Sequence, residues 1–260
     1  MTQKTIKYLA LALAGAIILS IFYSLFSMFL IDNNSDDDII LNNSMLNGYN
    51  VRNLKRLNIE LKANNLIIKK GAEIKVETTH PRKFYVNQRD ESINISGKNL
   101  IGKNSTIIIY VPENFVFESI EIEGGAGRIS LSDFVTRELS LELGAGEVEI
   151  NSVEVLDETD IDGGAGEINI INSSLSNLDF DMGIGKCTMN TQLYGKNEID
   201  AGIGQLQIKL LDGKENYTIM AEEGVGNITI DGEKLNNNIK YGNGKSILKI
   251  NGGIGSIEIE

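Results

Sequence analysis

The sequence predicts an all-β chain, a parallel β-helix or β-solenoid with coils of about 19–20 residues, preceded by one transmembrane α-helix. Three observations point there. A Gly-x-Gly element recurs seven times at near-constant spacing. Apolar and polar residues alternate after every copy. One long uncharged apolar run stands before the repeats begin.

That run extends from Tyr8 to Ile31. As a helix it would span about 36 Å at roughly 1.5 Å per residue, enough to cross a bilayer core with some tilt. Lys4 and Lys7 precede it, and Asp32, Asp36, Asp37 and Asp38 follow. This asymmetry predicts residues 1–7 in the cytoplasm and everything after Ile31 outside. A cleaved signal peptide needs a shorter apolar core and then a small-x-small site. Here the run gives way to Asp32-Asn-Asn-Ser-Asp36. The expectation is an uncleaved single-pass anchor over residues 8–31 in the cell membrane. Residues 32–50, rich in Asn, Asp and Ser, read as a polar linker.

Residues 51–124 read as irregular strands, among them Leu57-Asn-Ile-Glu-Leu61, Ile93-Asn-Ile95 and Ile107-Ile-Ile-Tyr-Val111. Terminal coils close an open end and depart from the repeat, so this segment is expected to cap the solenoid. The regular repeats occupy residues 125–260. Their Gly-x-Gly elements begin at Gly125, Gly144, Gly164, Gly183, Gly202, Gly224 and Gly253, spaced 19, 20, 19, 19, 22 and 29 residues apart. The wide last interval marks an insertion around Asp231 to Asn243.

Alternation buries every second residue. Ile129, Val148, Ile168, Cys187, Leu206, Ile228 and Ile257 align as one inward ladder, and Leu131, Ile150, Ile170, Met189, Ile208, Ile230 and Ile259 as the next. Before the glycines lie Ile122, Leu141, Ile161, Phe180, Ile199, Ala221 and Ile250, with a looser ladder two residues earlier. One coil cannot bury such a face alone; stacked coils can. Whether the coil has two or three sides stays open. The residue between the glycines grows from Ala126, Ala145 and Ala165 to Ile184, Ile203, Val225 and Ile254, which reads as a taper in core volume. The chain closes on Ser256-Ile-Glu-Ile259, a strand expected to leave an open edge.

An N-terminal anchor, an irregular strand region with a Tyr110-Val-Pro112 step, and Gly-Ala-Gly-Glu repeats together resemble the bacterial "putative adhesin" family, a domain family of unknown function. The resemblance covers roughly Leu54 to Glu260. It implies a β-helical fold and an extracytoplasmic, cell-envelope setting, and it carries no catalytic residues.

Composition narrows the function. A net charge of −12 opposes nucleic-acid binding, which needs Lys and Arg to displace counterions. The single cysteine, Cys187, allows no intramolecular disulfide and no zinc cluster. The single histidine, His80, reads as a loop or strand-end residue. Gly-x-Gly followed by a strand lacks the helix that a phosphate loop requires.

The distinctive feature is acidic. Two residues before the glycines lie Glu123, Glu142, Asp162, Asp181, Asp200 and Glu222, and four before lie Glu121, Asp160, Asp179 and Glu198. These positions alternate with buried ones and predict a two-column outward stripe. Such a stripe keeps a sheet soluble; it also attracts cations. No catalytic, cofactor or metal residues are expected, because the asymmetric carboxylate environments of acid–base chemistry are missing. Weak, distributed Ca²⁺ association remains open, since discrete sites need six to eight oxygens in a shaped loop. The expected protein is a non-enzymatic, monomeric, adhesin- or sensor-like interaction protein, with a cationic peptide or envelope protein as partner. The alternatives are a structural stalk or assembly module and a polysaccharide-acting β-helix enzyme.

Overall fold

Alternation along an extended chain sends successive side chains to opposite faces, so stacked strands can share one dry interior. The computed structural model describes residues 54–80, 83–97, 105–222, 224–234 and 239–260, and in them this pattern winds into coils. The expected anchor (8–31) and linker (32–50) lie outside the described residues. Among the described residues, no helix is long and apolar enough to cross a membrane.

The strands are β1 (Arg56–Leu61), β2 (Asn65–Gly71), β3 (Lys75–Thr78), β4 (Phe84–Arg89), β5 (Ser92–Gly97), β6 (Thr106–Pro112) and β7 (Val116–Asp162). There follow β8 (Ala165–Ser176), β9 (Leu178–Asp181), β10 (Ile184–Tyr194), β11 (Lys196–Asp200), β12 (Ile203–Leu210), β13 (Tyr217–Glu222) and β14 (Val225–Ile230). The last are β15 (Glu233–Lys234), β16 (Ile239–Tyr241), β17 (Ser246–Asn251) and β18 (Ile254–Ile259). β7 is one extended ribbon of 47 residues that bends through successive coils. Stacking is parallel and in register: Gly146 beside Gly166, then Gly185, Gly204, Gly255 and Gly226.

Each coil has three sides. In one coil the inward pairs are Val148/Ile150, Val153/Val155 and Thr159/Ile161; in the next they are Ile168/Ile170, Ser173/Leu175 and Leu178/Phe180, all buried. One corner is the Gly-x-Gly. A second falls at Asp133, Ser152 and Asn172, whose φ values of 57°, 56° and 51° are left-handed. Asp and Asn tolerate that region better than other L residues. At Asn172 the extra residue shifts the register against β10. The third falls where alternation breaks, at Asn177 (φ 47°) and Gly195 (φ 78°) in two consecutive coils.

The middle side was illegible in sequence because Thr136, Ser173 and Thr191 interrupt its apolar ladder. These hydroxyls are buried but paired. Thr136 Oγ1 donates to the Glu138 carbonyl (2.9 Å), Ser173 Oγ to that of Ile171 (2.9 Å) and Thr191 Oγ1 to that of Ser173 (2.7 Å). Asn197, also buried, accepts from the Leu178 N–H and donates to the Ile247 carbonyl, both at 3.0 Å.

Spatial order departs from chain order at both ends. β18 pairs with β12 on one side and β14 on the other; β17 likewise lies between β11 and β13. The last coil in sequence is thus inserted one place in from the end. The expected open edge at Ser256–Ile259 is therefore corrected: that strand is paired on both sides. The first coil does the same, with β1 between β5 and β7 and β2 between β6 and β7. The outermost coils are covered by short antiparallel strands, β4 on β5 and β3 on β6 at one end, β15 on β14 and β16 on β13 at the other. The insertion around Asp231 to Asn243 supplies the second pair of covers. Very short edge strands such as β15 and β16 blunt a sheet edge against aggregation.

Candidate functional site: an acidic sheet face

Side chains opposite the buried ladder on the strands before the glycines point outward. Parallel register then sets like residues about 4.8 Å apart. Asp160 and Asp162 stand beside Asp179 and Asp181, and these beside Glu198 and Asp200. Toward the N-terminal end Glu121, Glu123 and Glu142 continue the face, all exposed. The structure adds a member: Glu60 pairs with Glu123 across β1 and β7. The irregular spacing of the first strands hid it, although the alternation of Leu57 to Leu61 placed Glu60 outward.

At the other end the inserted coil ends the stripe. Lys249 and Asn251 fall between Glu198/Asp200 and Met220/Glu222. Lys249 Nζ lies 2.6 Å from Glu198 Oε1; Asn251 donates to Glu198 at 2.9 Å and to Asp200 at 2.5 Å. Glu222 is thereby cut off from the column that the sequence assigned it to. Glu198 is a neutralised member, its carboxyl held below the usual range by the Lys249 ammonium and then by Asn251.

The five aspartates 160, 162, 179, 181 and 200 have no Lys or Arg partner among the described residues. Partial burial, and then neighbouring carboxylates, hold Asp160, Asp179 and Asp181 above the ordinary carboxylate range. Some charges elsewhere on the solenoid are paired, as in Arg137–Asp157 at 2.7 Å and Lys55–Glu91 at 3.0 Å. Among the described residues, no group of three or more His, Cys, Asp or Glu is arranged to hold a metal ion.

Other candidates resolve structurally. Cys187 is fully buried, and burial pushes its thiol far up, which removes the reactive thiolate. His80 is half-buried just beyond β3, its Nδ1 2.9 Å from Thr79 Oγ1. The glycines serve close backbone approach: a Cβ on Gly146 would sit 1.9 Å from the Gly127 carbonyl oxygen, and φ there is +151°. The residue between the glycines is corrected. It does not taper the core but faces outward, with Val225 61 % and Ile254 47 % exposed. Ile184, Ile203, Ile254 and Val225 line up as an outer ridge.

Fold and face together define a repeat-built parallel solenoid with closed ends and one uncompensated acidic side. The Toastrack DUF4097 family model matches residues 49–249, and the chain belongs to that family. No curated protein matches it. A Bacteroides fragilis "putative adhesin" of known structure is 16 % identical with a TM-score of 0.53, covering 82 % of this chain and 94 % of its own; this likeness shows the fold. A Clostridium sporogenes "putative cell adhesion protein" is 19 % identical with a TM-score of 0.37, covering 80 % and 92 %.

Proposed function

We propose that the chain is a non-enzymatic interaction protein of the bacterial cell envelope, adhesin- or sensor-like, displayed outside the cell by the apolar run Tyr8–Ile31. Its acidic face takes a cationic peptide or the basic surface of an envelope protein. The carrying observation is the in-register set of five aspartates on one face, none of them in an ion pair with Lys or Arg among the described residues. Like charges about 5 Å apart oppose folding, and a cationic partner relieves that repulsion. The adhesin descriptions of the structural neighbours agree with this role. A glycan-cleaving enzyme would need a carboxylate pair in contrasting environments; Asp179 and Glu198 are shifted in opposite directions, but Glu198 is tied to Lys249 and Asn251 rather than open to a substrate. The antiparallel covers argue against end-on stacking, so the protein acts as a monomer. Weak, distributed Ca²⁺ association would screen the same face and compete with the peptide.

The test is calorimetric titration of a lysine-rich peptide into the full chain held in neutral detergent micelles, at low and near-physiological salt. Binding should weaken as salt rises and disappear when Asp162, Asp181 and Asp200 are all changed to Asn. Absence of binding to the wild type at low salt would overturn the reading and leave the face as a solubility device.

A further inference from the structure

At the Gly-x-Gly corner the residue between the glycines points outward, and in four neighbouring coils it is a branched apolar residue. In spatial order Ile184, Ile203, Ile254 and Val225 stand in register. Rungs lie about 4.8 Å apart, so this ridge runs about 14 Å along the solenoid axis. Ile184 and Ile203 are half-buried, and Ile254 and Val225 are exposed. Apolar residues scattered singly over a surface are ordinary, whereas a contiguous row marks an interaction site. The fold itself does not ask for this bulk. Ala145 and Ala165 hold the same position in the two coils before Ile184, on the same frame of glycines.

Charge decides what can cover the ridge. On one flank, three residues before Ile184 and Ile203, stand Asp181 and Asp200, with Asp162 in line before Ala165. Beyond Asp200 this flank holds Asn251, so the negative charge sits beside Ile184 and Ile203. The other flank has no matching column: Lys186, Gln205, Ser256 and Asn227 follow one another in register. A lipid surface is a poor cover, because its anionic headgroups would meet the aspartates. A second copy is no better, since joining two ridges brings two aspartate columns together. A basic partner suits the ridge and the carboxylates at once. Its form follows from the spacing. Three extended residues span at most about 10 Å, and an α-helix with its side chains is about 10–12 Å wide. A helix laid along the ridge therefore reaches the aspartates with the side chains of one flank, and about ten of its residues cover the four rungs.

We infer that the ridge docks an amphipathic α-helix of the basic partner, its apolar stripe on Ile184, Ile203, Ile254 and Val225 and the Lys or Arg side chains of one flank on Asp181 and Asp200. This rests on the reading of the acidic face as a cation-binding surface and adds to it the form of the partner.

The experiment holds the full chain in phosphatidylcholine nanodiscs, with empty discs as the blank. Two peptides of one composition are titrated. In one, leucines form a single helical stripe with lysines along its flank; in the other, the same residues are scrambled. The striped peptide should bind about ten-fold more tightly, a difference of about 1.4 kcal/mol. That advantage should vanish when Ile184, Ile203, Ile254 and Val225 are all changed to Ala, the residue that this position already holds at Ala145 and Ala165. A circular dichroism melt checks that the variant folds. Ile254→Cys carrying a polarity-sensitive dye should report water before peptide is added and an apolar surrounding afterwards; Cys187 is buried and takes no label. Equal affinity for the two peptides, or an advantage that the alanine variant keeps, would overturn the inference. So would a dye that reports an apolar surrounding without peptide, which assigns the ridge to lipid in discs holding one chain and to a second copy in discs holding two. Lysine-rich peptide binding without a stripe advantage would remove the ridge and keep the face; a stripe advantage without lysine-rich peptide binding would do the reverse.

Discussion

At the scale of single residues, the corner glycines are the least replaceable. A methyl group on Gly146 would press into the Gly127 carbonyl on the coil below, and Gly166 is stacked the same way on Gly146, its Cβ 1.8 Å from that carbonyl oxygen. Gly146→Ala should therefore destabilise by roughly 2–6 kcal/mol, combining backbone strain and overpacking of about 1–3 kcal/mol each. Urea unfolding would measure it, and a loss under about 1 kcal/mol would show that the corner adjusts cheaply. The glycines were legible because their spacing repeats. Outward Ile203 and inward Ile199 look alike in sequence, and alternation fails at a corner, so the ridge between the glycines was misassigned. Tyr217 was missed for another reason. It is fully buried as a plug, its hydroxyl donating to Asp212 (2.5 Å) and accepting from the Leu193 N–H (2.9 Å), contacts that no local pattern signals.

At the scale of elements, the two chain-terminal coils are each gripped from both sides. Strands β17 and β18 supply the partners of β13 and β14. Deleting residues 246–260 should strip hydrogen-exchange protection from β13 and β14 while β8 and β10 keep theirs, since solenoid stability is a sum over neighbouring coils. Retained protection in β13 and β14 would mean that this coil docks directly on β11 and β12. The strand signal itself was readable across residues 125–260. The swap of the last two coils was not, because both carry the same Gly-x-Gly register and either would fit the coil before.

At the scale of the whole molecule, parallel stacking sets the aspartates of successive coils beside one another on one face, and this has a pH consequence. Asp160, Asp179 and Asp181 have folded pKa values raised by partial burial and by one another. The folded state thus binds protons that the unfolded chain releases, so their repulsion costs stability at neutral pH and is relieved on acidification, fully so below the ordinary carboxylate pKa. Glu77 and Glu198, depressed chiefly by Lys75 and Lys249, act oppositely and lose their contribution at lower pH. The melting temperature should rise from pH 7 to about 4.5 and fall in stronger acid. A variant with Asp160, Asp179 and Asp181 changed to Asn should melt higher at pH 7 and lack the rise. A wild-type melting temperature that is flat over that interval would refute the assignment.

Sequence alone determined the all-β class, the coil length, the inward ladders beside the glycines and the outward acidic columns. Each follows from a short period, and a periodic pattern specifies which side chains face in without knowledge of what lies opposite. Tertiary structure decided the third side of the coil, the inserted first and last coils and the Lys249–Glu198 contact that ends the stripe. Those depend on which strands, far apart in the chain, become neighbours, and strand pairing is chosen by packing and hydrogen bonding across the whole stack.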